Sequence, residues 1–343
     1  MDAREALGIV AGGRALTREE AGATMTSVMA GEATPAQLGA LVAALHMRGE
    51  TPAEIAGFAS AMRAQAVRVS VADGAIDVVG TGGDHSNSIN ISTLSAIVAA
   101  AAGARVAKHG NRAASSACGS ADVLEALGVK IDLDAEGVAK CVSEVGVGFM
   151  FAPRFHPAMR HAGPVRREIG IRTVFNLLGP LANPAGVRRY VLGVASETIG
   201  ETMSQALCEL GVEHALVVYG SDGLDELSPS AETRTWEIRR GDIRTSTLRP
   251  EDVGLTRAAR AEIVGGDAAT NARIARELLG GANGGARTAV LLTSGAACYV
   301  AGLAPSIGAG VTLAAKTIDS GAARDRLERF VVTSQRLAPA MSE

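Results

Sequence analysis

The sequence has few aromatic residues, few cysteines and no long apolar run. Phenylalanine, tryptophan and tyrosine make up only 3% of the 343 residues, which favours helices packed closely on a sheet over a β-sandwich. The four cysteines form no C-x-x-C pair, so neither a zinc knuckle nor a disulfide framework is indicated. A membrane-spanning helix needs about 20 apolar residues, and the N-terminus lacks the apolar segment of a signal peptide. We therefore expect a cytoplasmic protein with no membrane partner.

An excess of charge of one sign is also absent. The 33 basic and 36 acidic residues give a net charge of −3, so no overall positive field is available to hold nucleic acid. Any anion must be bound locally, and no nucleic-acid partner is expected. The sequence is instead rich in alanine and glycine and is 47% hydrophobic, which favours an α/β fold. Its length suggests roughly two domains.

The first seventy residues show three helix starts. Each is a capping box, in which a threonine precedes glutamate or glutamine by three residues: Thr17 with Glu20, Thr34 with Gln37, and Thr51 with Glu54. Apolar residues then recur at helical spacing, with no strand pattern between them. This predicts an all-helical unit whose apolar faces pack against the rest of the chain or against a second copy, so dimerisation is one of two outcomes.

From Ile76 onwards, short apolar runs alternate with helical segments. Such alternation predicts a largely parallel sheet with helices on its faces. The predicted strands cover residues 76–79, 105–107, 190–194 and 216–219. Residues 233–239 and 243–248 predict a hairpin that carries the only tryptophan, Trp236, as a packing residue. Beyond Asn271 the chain is predicted to be helical, with a last helix at residues 315–331.

A glycine cluster, residues 80–84, follows the first predicted strand and precedes a helix that begins near Ser92. Glycines let backbone N–H groups approach a phosphate, and we expect the helix to add its own unpaired N–H groups and its dipole. Asn90, Ser92 and Thr93 add side-chain oxygens. The spacing is neither that of a Walker loop nor that of a dinucleotide-binding fingerprint. A tight turn without a ligand is the alternative.

A cationic segment, residues 108–116, follows the next predicted strand. Lys108, His109 and Arg112 lie among small residues, which predicts a second anion-binding loop at the sheet edge where α/β proteins bind ligands. The alternative is a solvated turn. The helix Ser120–Leu127 follows, and Ser120 is expected to cap it or to donate to phosphate.

Asp225 and Glu226 lie in a glycine-containing loop after another predicted strand. We expect this pair to be exposed and to ligate Mg²⁺, which prefers one or two carboxylates together with substrate oxygens and water. A solvated turn is again the alternative. His156 and His161 do not form a zinc pair, because Pro157 separates them and they face different ways, so packing or surface positions are expected.

Several segments together resemble anthranilate phosphoribosyltransferase. They are residues 80–84, 90–93, 108–112, 119–128 and 166–184 and the pair Asp225–Glu226, and they follow the order of that family. The resemblance implies a helical, dimer-forming domain of residues 1–70 with 165–187. It also implies an α/β domain of residues 71–164 with 188–343, which has a mostly parallel central sheet like that of nucleoside phosphorylases. The implied reaction transfers 5-phosphoribosyl to anthranilate in tryptophan biosynthesis.

The resemblance also implies roles for individual residues. Phosphoribosyl pyrophosphate would be bound by Gly80, Gly83, Asp84, Ser88, Asn90, Ile91, Ser92, Thr93, Lys108, His109, Gly110, Asn111, Arg112, Ala113, Ala114, Ser115, Ser116 and Ser120. Anthranilate would contact Gly80, Asn111 and Arg166. Ser92, Asp225 and Glu226 would hold Mg²⁺, two ions per subunit with substrate bound, and Lys108, Asp225 and Glu226 would be catalytic.

Two rival functions are weighed against this one. A pyrimidine-nucleoside phosphorylase shares the helical domain and a phosphate loop, but it would use inorganic phosphate and need a pocket for a base. Two phosphate loops with a carboxylate pair favour a pyrophosphate–metal substrate instead. A catalytically inactive relative that binds nucleic acid would need an extended basic face and damaged motifs, and the sequence has neither.

Overall fold

Four helices form the N-terminal part of the molecule, whose computed structural model describes residues 1–113 and 117–338. They are α1 (Ala3–Ala11), α2 (Arg18–Met29), α3 (Pro35–Arg48) and α4 (Pro52–Ala64). The three predicted capping boxes are confirmed at the starts of α2, α3 and α4. A fourth, between Asp2 and Glu5, starts α1, a helix that the sequence analysis missed.

Two later helices pack on this N-terminal unit. They are α9 (Gly163–Ile169), which contacts α3, and α10 (Val174–Leu181), which contacts both α3 and α4. Buried leucines of α3 and of α10 lie in the apolar layer that the helices share. The chain thus returns to its N-terminal helices before it enters the second half of the sheet.

A seven-stranded sheet forms the larger part of the molecule. Its strands are β1 (Ile76–Gly80), β2 (Val106–Gly110), β3 (Val147–Phe151), β4 (Arg189–Gly193), β5 (His214–Gly220), β6 (Thr233–Arg239) and β7 (Asp242–Leu248). Their order is β3-β2-β1-β4-β5-β6-β7. The first five are parallel, and β6 and β7 form the predicted antiparallel hairpin. Trp236 is 3% exposed and packs in the core as expected.

Helices cover the sheet. They are α5 (Ile91–Ala101), α6 (Ser120–Leu127), α7 (Ala135–Val145), α8 (Ala152–Phe155), α11 (Glu197–Glu209), α12 (Ala268–Leu279), α13 (Gly285–Val300), α14 (Ile307–Asp319) and α15 (Ala322–Leu337). In the core, α5 and α13 pack on each other and on the strands. In the part of the chain that the structure describes, no helix is long and apolar enough to cross a bilayer.

Two expectations about these elements were wrong. The last helix does not span 315–331, because Gly321 adopts a left-handed conformation (φ 81°) that ends α14 and separates it from α15. Lys108, His109 and Gly110 belong to β2 and not to a loop. The reason is β3, which the sequence analysis missed: Lys108 pairs with Phe149, and Gly110 with Phe151, so β2 ends three residues later than expected.

Candidate active site

Glycines at the carboxyl ends of β1 and β4 let the loop after β5 lie directly against the sheet. A Cβ on Gly193 would stand 1.6 Å from the backbone oxygen of Asp225, and one on Gly80 would stand 2.5 Å from its Oδ2. Side chains larger than hydrogen would therefore displace Asp225. The order of strands reverses between β1 and β4, which is where open α/β sheets bind ligands.

Three carboxylates converge at this edge of the sheet. Asp225 Oδ2 accepts the N–H of Gly82 (2.6 Å), and the N–H of Asp225 is 3.4 Å from Asp84 Oδ2. Burial, followed by repulsion from Asp84 and Glu226, raises the pKa of Asp225 well above its usual value. Glu226 is 8% exposed, and burial raises its pKa to about 7. The expectation of an exposed pair was wrong, because the loop packs against the glycine strand ends.

Lys108 supplies the single ammonium group of this cluster. Its side chain is 3% exposed, and Nζ donates to the carbonyl of Val78 (2.5 Å) and to Ser92 Oγ (3.3 Å). Burial lowers its pKa, while the charges of Asp77 and Glu226 raise it. Lys108 and Ser92 therefore meet the carboxylates as predicted, although Lys108 reaches them from a strand and not from a loop.

The first N–H groups of α5 are not free to bind an anion. The N–H of Ser92 donates to Glu226 Oε1 (3.0 Å), and those of Thr93 and Leu94 donate to the carbonyl of Asn90. The expectation of unpaired N–H groups was therefore wrong, because the protein's own carboxylate occupies the start of the helix. Thr293 of α13, which the sequence analysis missed, holds the other oxygen of Glu226 at 3.4 Å.

The charge of the cluster fits a divalent cation. Asp84, Asp225 and the buried Glu226 lie together, and only Glu226 interacts with the Lys108 ammonium group, so a further cation would offset their mutual repulsion. Hard oxygens of this kind suit Mg²⁺. Among residues 1–113 and 117–338, however, no three histidine, cysteine or acidic side chains form a complete metal cage. An ion here would need further oxygens from substrate and water.

The described residues on either side of 114–116, in the loop after β2, are hydrogen-bonded to the start of α6. Ser120 Oγ donates to the carbonyl of Asn111 (3.1 Å), and Asp122 accepts the N–H groups of Ala113 (3.0 Å) and Gly119 (2.8 Å). Arg112 is held by Asp122 and Glu125, so its guanidinium is already ion-paired. Of the residues predicted to bind phosphoribosyl pyrophosphate, Ala114, Ser115 and Ser116 lie outside the described residues.

The side chains of residues 90–93 are mostly used within the protein. Asn90 donates to the carbonyl of Cys118 (3.0 Å) and accepts from Asn271 (2.9 Å), whose contribution no sequence signal indicated. Ile91 and Thr93 are each 1% exposed. Ser92 is thus the residue of this segment whose hydroxyl faces the Lys108 ammonium group.

Arg172 closes the glycine loop from the helical side. Its Nη1 donates to the carbonyl of Gly82 (2.7 Å) and lies where a Cβ on Gly83 would be. Gly83 also has a φ of 77°, which favours glycine. The far end of the loop is held by a bridge between Ser88 and Val264. The sequence analysis missed Arg172, since an arginine between helices has no local signature.

Arg166, on α9, is a half-buried cation. In the described part of the chain it has no carboxylate partner, and its guanidinium lies 5.3 Å from the centre of the Phe175 ring. Burial lowers its pKa, although an arginine stays charged. Arg166 is therefore available for an anion that enters beside the helical unit.

His109 lies on the opposite face of the sheet from Lys108, because successive strand residues point to opposite faces. Its Nδ1 is 3.0 Å from the carbonyl of Gly179, and its ring centre is 5.1 Å from that of His156. Burial lowers the pKa of His109 to about 3 and that of His156 to about 4. The Nε2 atoms of both rings are buried without a partner among the described residues. His161 is exposed, as expected.

Two family models match the chain. A glycosyl transferase family helical bundle domain matches residues 4–66, and a glycosyl transferase family a/b domain matches residues 72–324. Among curated proteins, the anthranilate phosphoribosyltransferase of Chloroflexus aurantiacus is 55% identical over 98% of this chain and 99% of its own length. The anthranilate phosphoribosyltransferase of Thermomicrobium roseum is 56% identical over 96% of this chain and 97% of its own length.

Solved structures give the same result. The anthranilate phosphoribosyltransferase of Thermus thermophilus superposes with a TM-score of 0.92 at 49% identity, covering 96% of this chain and 99% of that one. The Saccharomyces cerevisiae enzyme, solved in complex with PRPP and Mg, has a TM-score of 0.86 at 28% identity over 94% of each chain. The chain therefore belongs to the anthranilate phosphoribosyltransferase family.

Proposed function

We propose that this protein transfers 5-phosphoribosyl from phosphoribosyl pyrophosphate to anthranilate, which gives N-(5-phosphoribosyl)anthranilate and pyrophosphate in tryptophan biosynthesis. The observation that carries the proposal is the cluster of Asp84, Asp225 and Glu226, whose buried member Glu226 interacts with Lys108 at the carboxyl edge of the sheet. The names of the relatives support it. So do the ligands of the yeast enzyme, PRPP with Mg and 4-fluoroanthranilate.

The donor substrate is assigned to the loops after β1 and β2. The predicted contacts are Gly80, Gly83, Asp84, Ser88, Asn90, Ile91, Ser92, Thr93, Lys108, Gly110, Asn111, Arg112, Ala113, Ala114, Ser115, Ser116 and Ser120. Ile91 and Thr93 have buried side chains and N–H groups that are paired within the protein, so they would position Ser92 and not bind the anion themselves. We reassign His109 to the acceptor, because its ring lies on the other face of the sheet.

Departure of pyrophosphate from C1 of the ribose is the demanding part of the reaction, because negative charge grows on the leaving group. Lys108 is held in place by Val78 and Ser92 and brings a positive charge to that group without rearranging. Asp225, Glu226 and the Ser92 hydroxyl would hold Mg²⁺, two ions per subunit with substrate bound. When bound, Mg²⁺ would neutralise the phosphate oxygens.

The acceptor is assigned to the space between Arg166 and the two buried histidines. Arg166 would hold the anthranilate carboxylate as a bidentate fork, with Asn111 and Gly80 alongside. The unpartnered Nε2 atoms of His109 and His156 would accept N–H groups of the aromatic amine and orient its lone pair. An aromatic amine is largely unprotonated at neutral pH, so positioning suffices and no strong base is required.

The division of the chain, its assembly and its location are also proposals. Residues 1–70 with 165–187 would form the helical domain, and residues 71–164 with 188–343 the α/β domain. The contacts of α9 and α10 with α3 and α4 support this division. We infer a homodimer formed through the helical domain, and a cytoplasmic location typical of amino-acid biosynthesis.

The decisive experiment follows the fluorescence of anthranilate as it is consumed. Turnover should require phosphoribosyl pyrophosphate and a divalent ion together, and excess chelator should abolish it. Undiminished turnover in chelator would refute the metal assignment. Phosphorolysis of thymidine in place of this reaction would identify the rival nucleoside phosphorylase.

A further inference from the structure

A buried asparagine fastens the segment after α10 to the sheet. Asn183 is 1% exposed, and its Nδ2 donates to Asp77 Oδ2 (2.7 Å) on β1 and to the carbonyl of Ala107 (2.9 Å) on β2. Its Oδ1 accepts the N–H of Ala185 (2.9 Å), so the amide group is fully used. These bonds tie the chain that returns from the helical unit to two strands at once.

Asp77 determines how this amide is oriented. It is fully buried and accepts the N–H of His109 (3.3 Å) in addition to Nδ2 of Asn183. An ionised carboxylate can only accept hydrogen bonds, so Asn183 must present its NH₂ group to β1 and its oxygen to Ala185. Burial raises the pKa of Asp77 to about 6, which leaves it largely ionised at neutral pH. Asp77 contacts neither substrate in the transfer described above, although its charge raises the pKa of Lys108.

The fastened segment provides the two carbonyl groups that hold the histidines. Gly179 accepts from His109 Nδ1 (3.0 Å), and the carbonyl of Ala182, next to Asn183, hydrogen-bonds the His156 ring. Since Nε2 of His156 has no partner among the described residues, Nδ1 is the nitrogen that donates. Both rings are therefore held with the proton on Nδ1, which leaves both buried Nε2 atoms as acceptors without a partner among the described residues.

We propose that Asp77 and Asn183 are positioning residues for the acceptor amine, because they hold the carbonyls that fix the tautomers and orientation of His109 and His156. The inference rests on the proposed function for the identity of the acceptor. It adds to the proposed site a polar link between two strands and the segment after α10. The residues that make this link touch neither substrate. Loss of the link should affect anthranilate and spare phosphoribosyl pyrophosphate.

Kinetics of Asn183→Ala test this division, because Asn183, unlike Asp77, has no charge that acts on Lys108. This variant should raise the KM for anthranilate by about tenfold or more, the scale of loss when the hydrogen bond that supports a metal-ligating histidine is removed. The KM for phosphoribosyl pyrophosphate should stay within about threefold. Asn271→Ala is the matched control, because Asn271 is also buried (2% exposed) but donates to Asn90 beside the phosphate loops. It should show the opposite pattern, and equal changes in both constants for Asn183→Ala would overturn the proposal.

Histidine NMR tests the same link without substrate. In ¹⁵N-histidine-labelled wild-type protein, His109 and His156 should show protonated Nδ1 and unprotonated Nε2, and His109→Gln identifies the signals. In Asn183→Ala these signals should move to the Nε2-protonated or averaged form. If Asn183→Ala does not fold, Asp77→Asn, which is nearly isosteric, carries the test. Unchanged tautomers in the folded variant would refute the proposal, whereas a wild-type protein without transferase activity would refute only the proposed function.

Discussion

At the scale of single residues, the surroundings of Glu226 make the charged form of its carboxyl group unfavourable. Its carboxylate is buried beside Asp84 and Asp225, and its pKa is raised to about 7 from 4.5. A carboxyl group with a raised native pKa binds protons more tightly in the folded state, so the free energy of unfolding falls as the pH rises from about 4.5 to 7. The charge of Glu226 therefore destabilises the metal-free protein at neutral and alkaline pH.

Glu226→Gln should consequently stabilise the metal-free protein while it lowers turnover by orders of magnitude. The gain in unfolding free energy should be larger at pH 8 than at lower pH and should vanish near pH 4.5. Thermal unfolding in chelator at both pH values measures it. Glu201→Gln, at an exposed position in α11, is the control and should change little at either pH. A melting temperature lowered at pH 8 would show that Glu226 is a structural residue.

Arg166 separates the two substrates. Its guanidinium is half-buried without a carboxylate partner among the described residues, so removal leaves the anthranilate carboxylate desolvated and unpaired. The loss should be roughly 2–5 kcal/mol. Arg166→Ala should therefore raise the KM for anthranilate steeply and leave that for phosphoribosyl pyrophosphate within a few-fold. Steady-state kinetics with each substrate varied decides this, and the reverse pattern would place Arg166 in the phosphate site.

At the scale of elements, the site depends on strands that end in glycine. Gly193→Ala places a Cβ 1.6 Å from the backbone oxygen of Asp225, so the loop that carries the carboxylates must move away from β4. Turnover should fall by at least about a hundredfold, because roughly 1 Å of displacement can cost that much. Gly8→Ala is the control, since nothing lies within 4 Å of the added methyl group. Normal activity in Gly193→Ala would show that the loop position is not critical.

Local signals predicted the elements well where the cause is local. Thr17, Thr34 and Thr51 start helices because a capping box needs only four consecutive residues. The length of β2 depends instead on its partner β3, which is far away in sequence. For this reason Lys108 was assigned to a loop and not to the strand in which it lies.

Prediction of the site from the sequence was limited in the same way, because only local motifs can be recognised. The glycine cluster and the pair Asp225–Glu226 are visible in the sequence as short motifs, and the structure brings them together. Arg172, Thr293 and Asn183 have no motif around them, and they join the site through folding of distant segments. The burial of the carboxylates could not be predicted either, because it depends on glycines in two other strands.

At the scale of the whole molecule, large exposed apolar side chains occur on both parts: Met47, Val67 and Ile171 in the helical part, and Ile243, Val264, Leu303 and Val332 in the α/β part. Met47 is the most exposed of them, at 87%. Single exposed apolar residues need no explanation, so Met47 is a place to test a dimer formed through the helical unit. The dimer that we infer through this unit would cover such residues without obstructing the sheet edge that carries the carboxylates.

Met47→Glu should therefore dissociate the dimer. A glutamate in an apolar interface would lose its hydration and gain no partner, and this cost would oppose association. If the interface lies elsewhere, the substitution should have no effect on the dimer. Val332→Glu is the matched control, because Val332 is also exposed (65%) but lies on α15 over the sheet. Analytical ultracentrifugation should give the mass of two chains for the wild type and for Val332→Glu, and of one chain for Met47→Glu. A monomeric wild type would refute the dimer, and dissociation by Val332→Glu alone would place the interface on the α/β part.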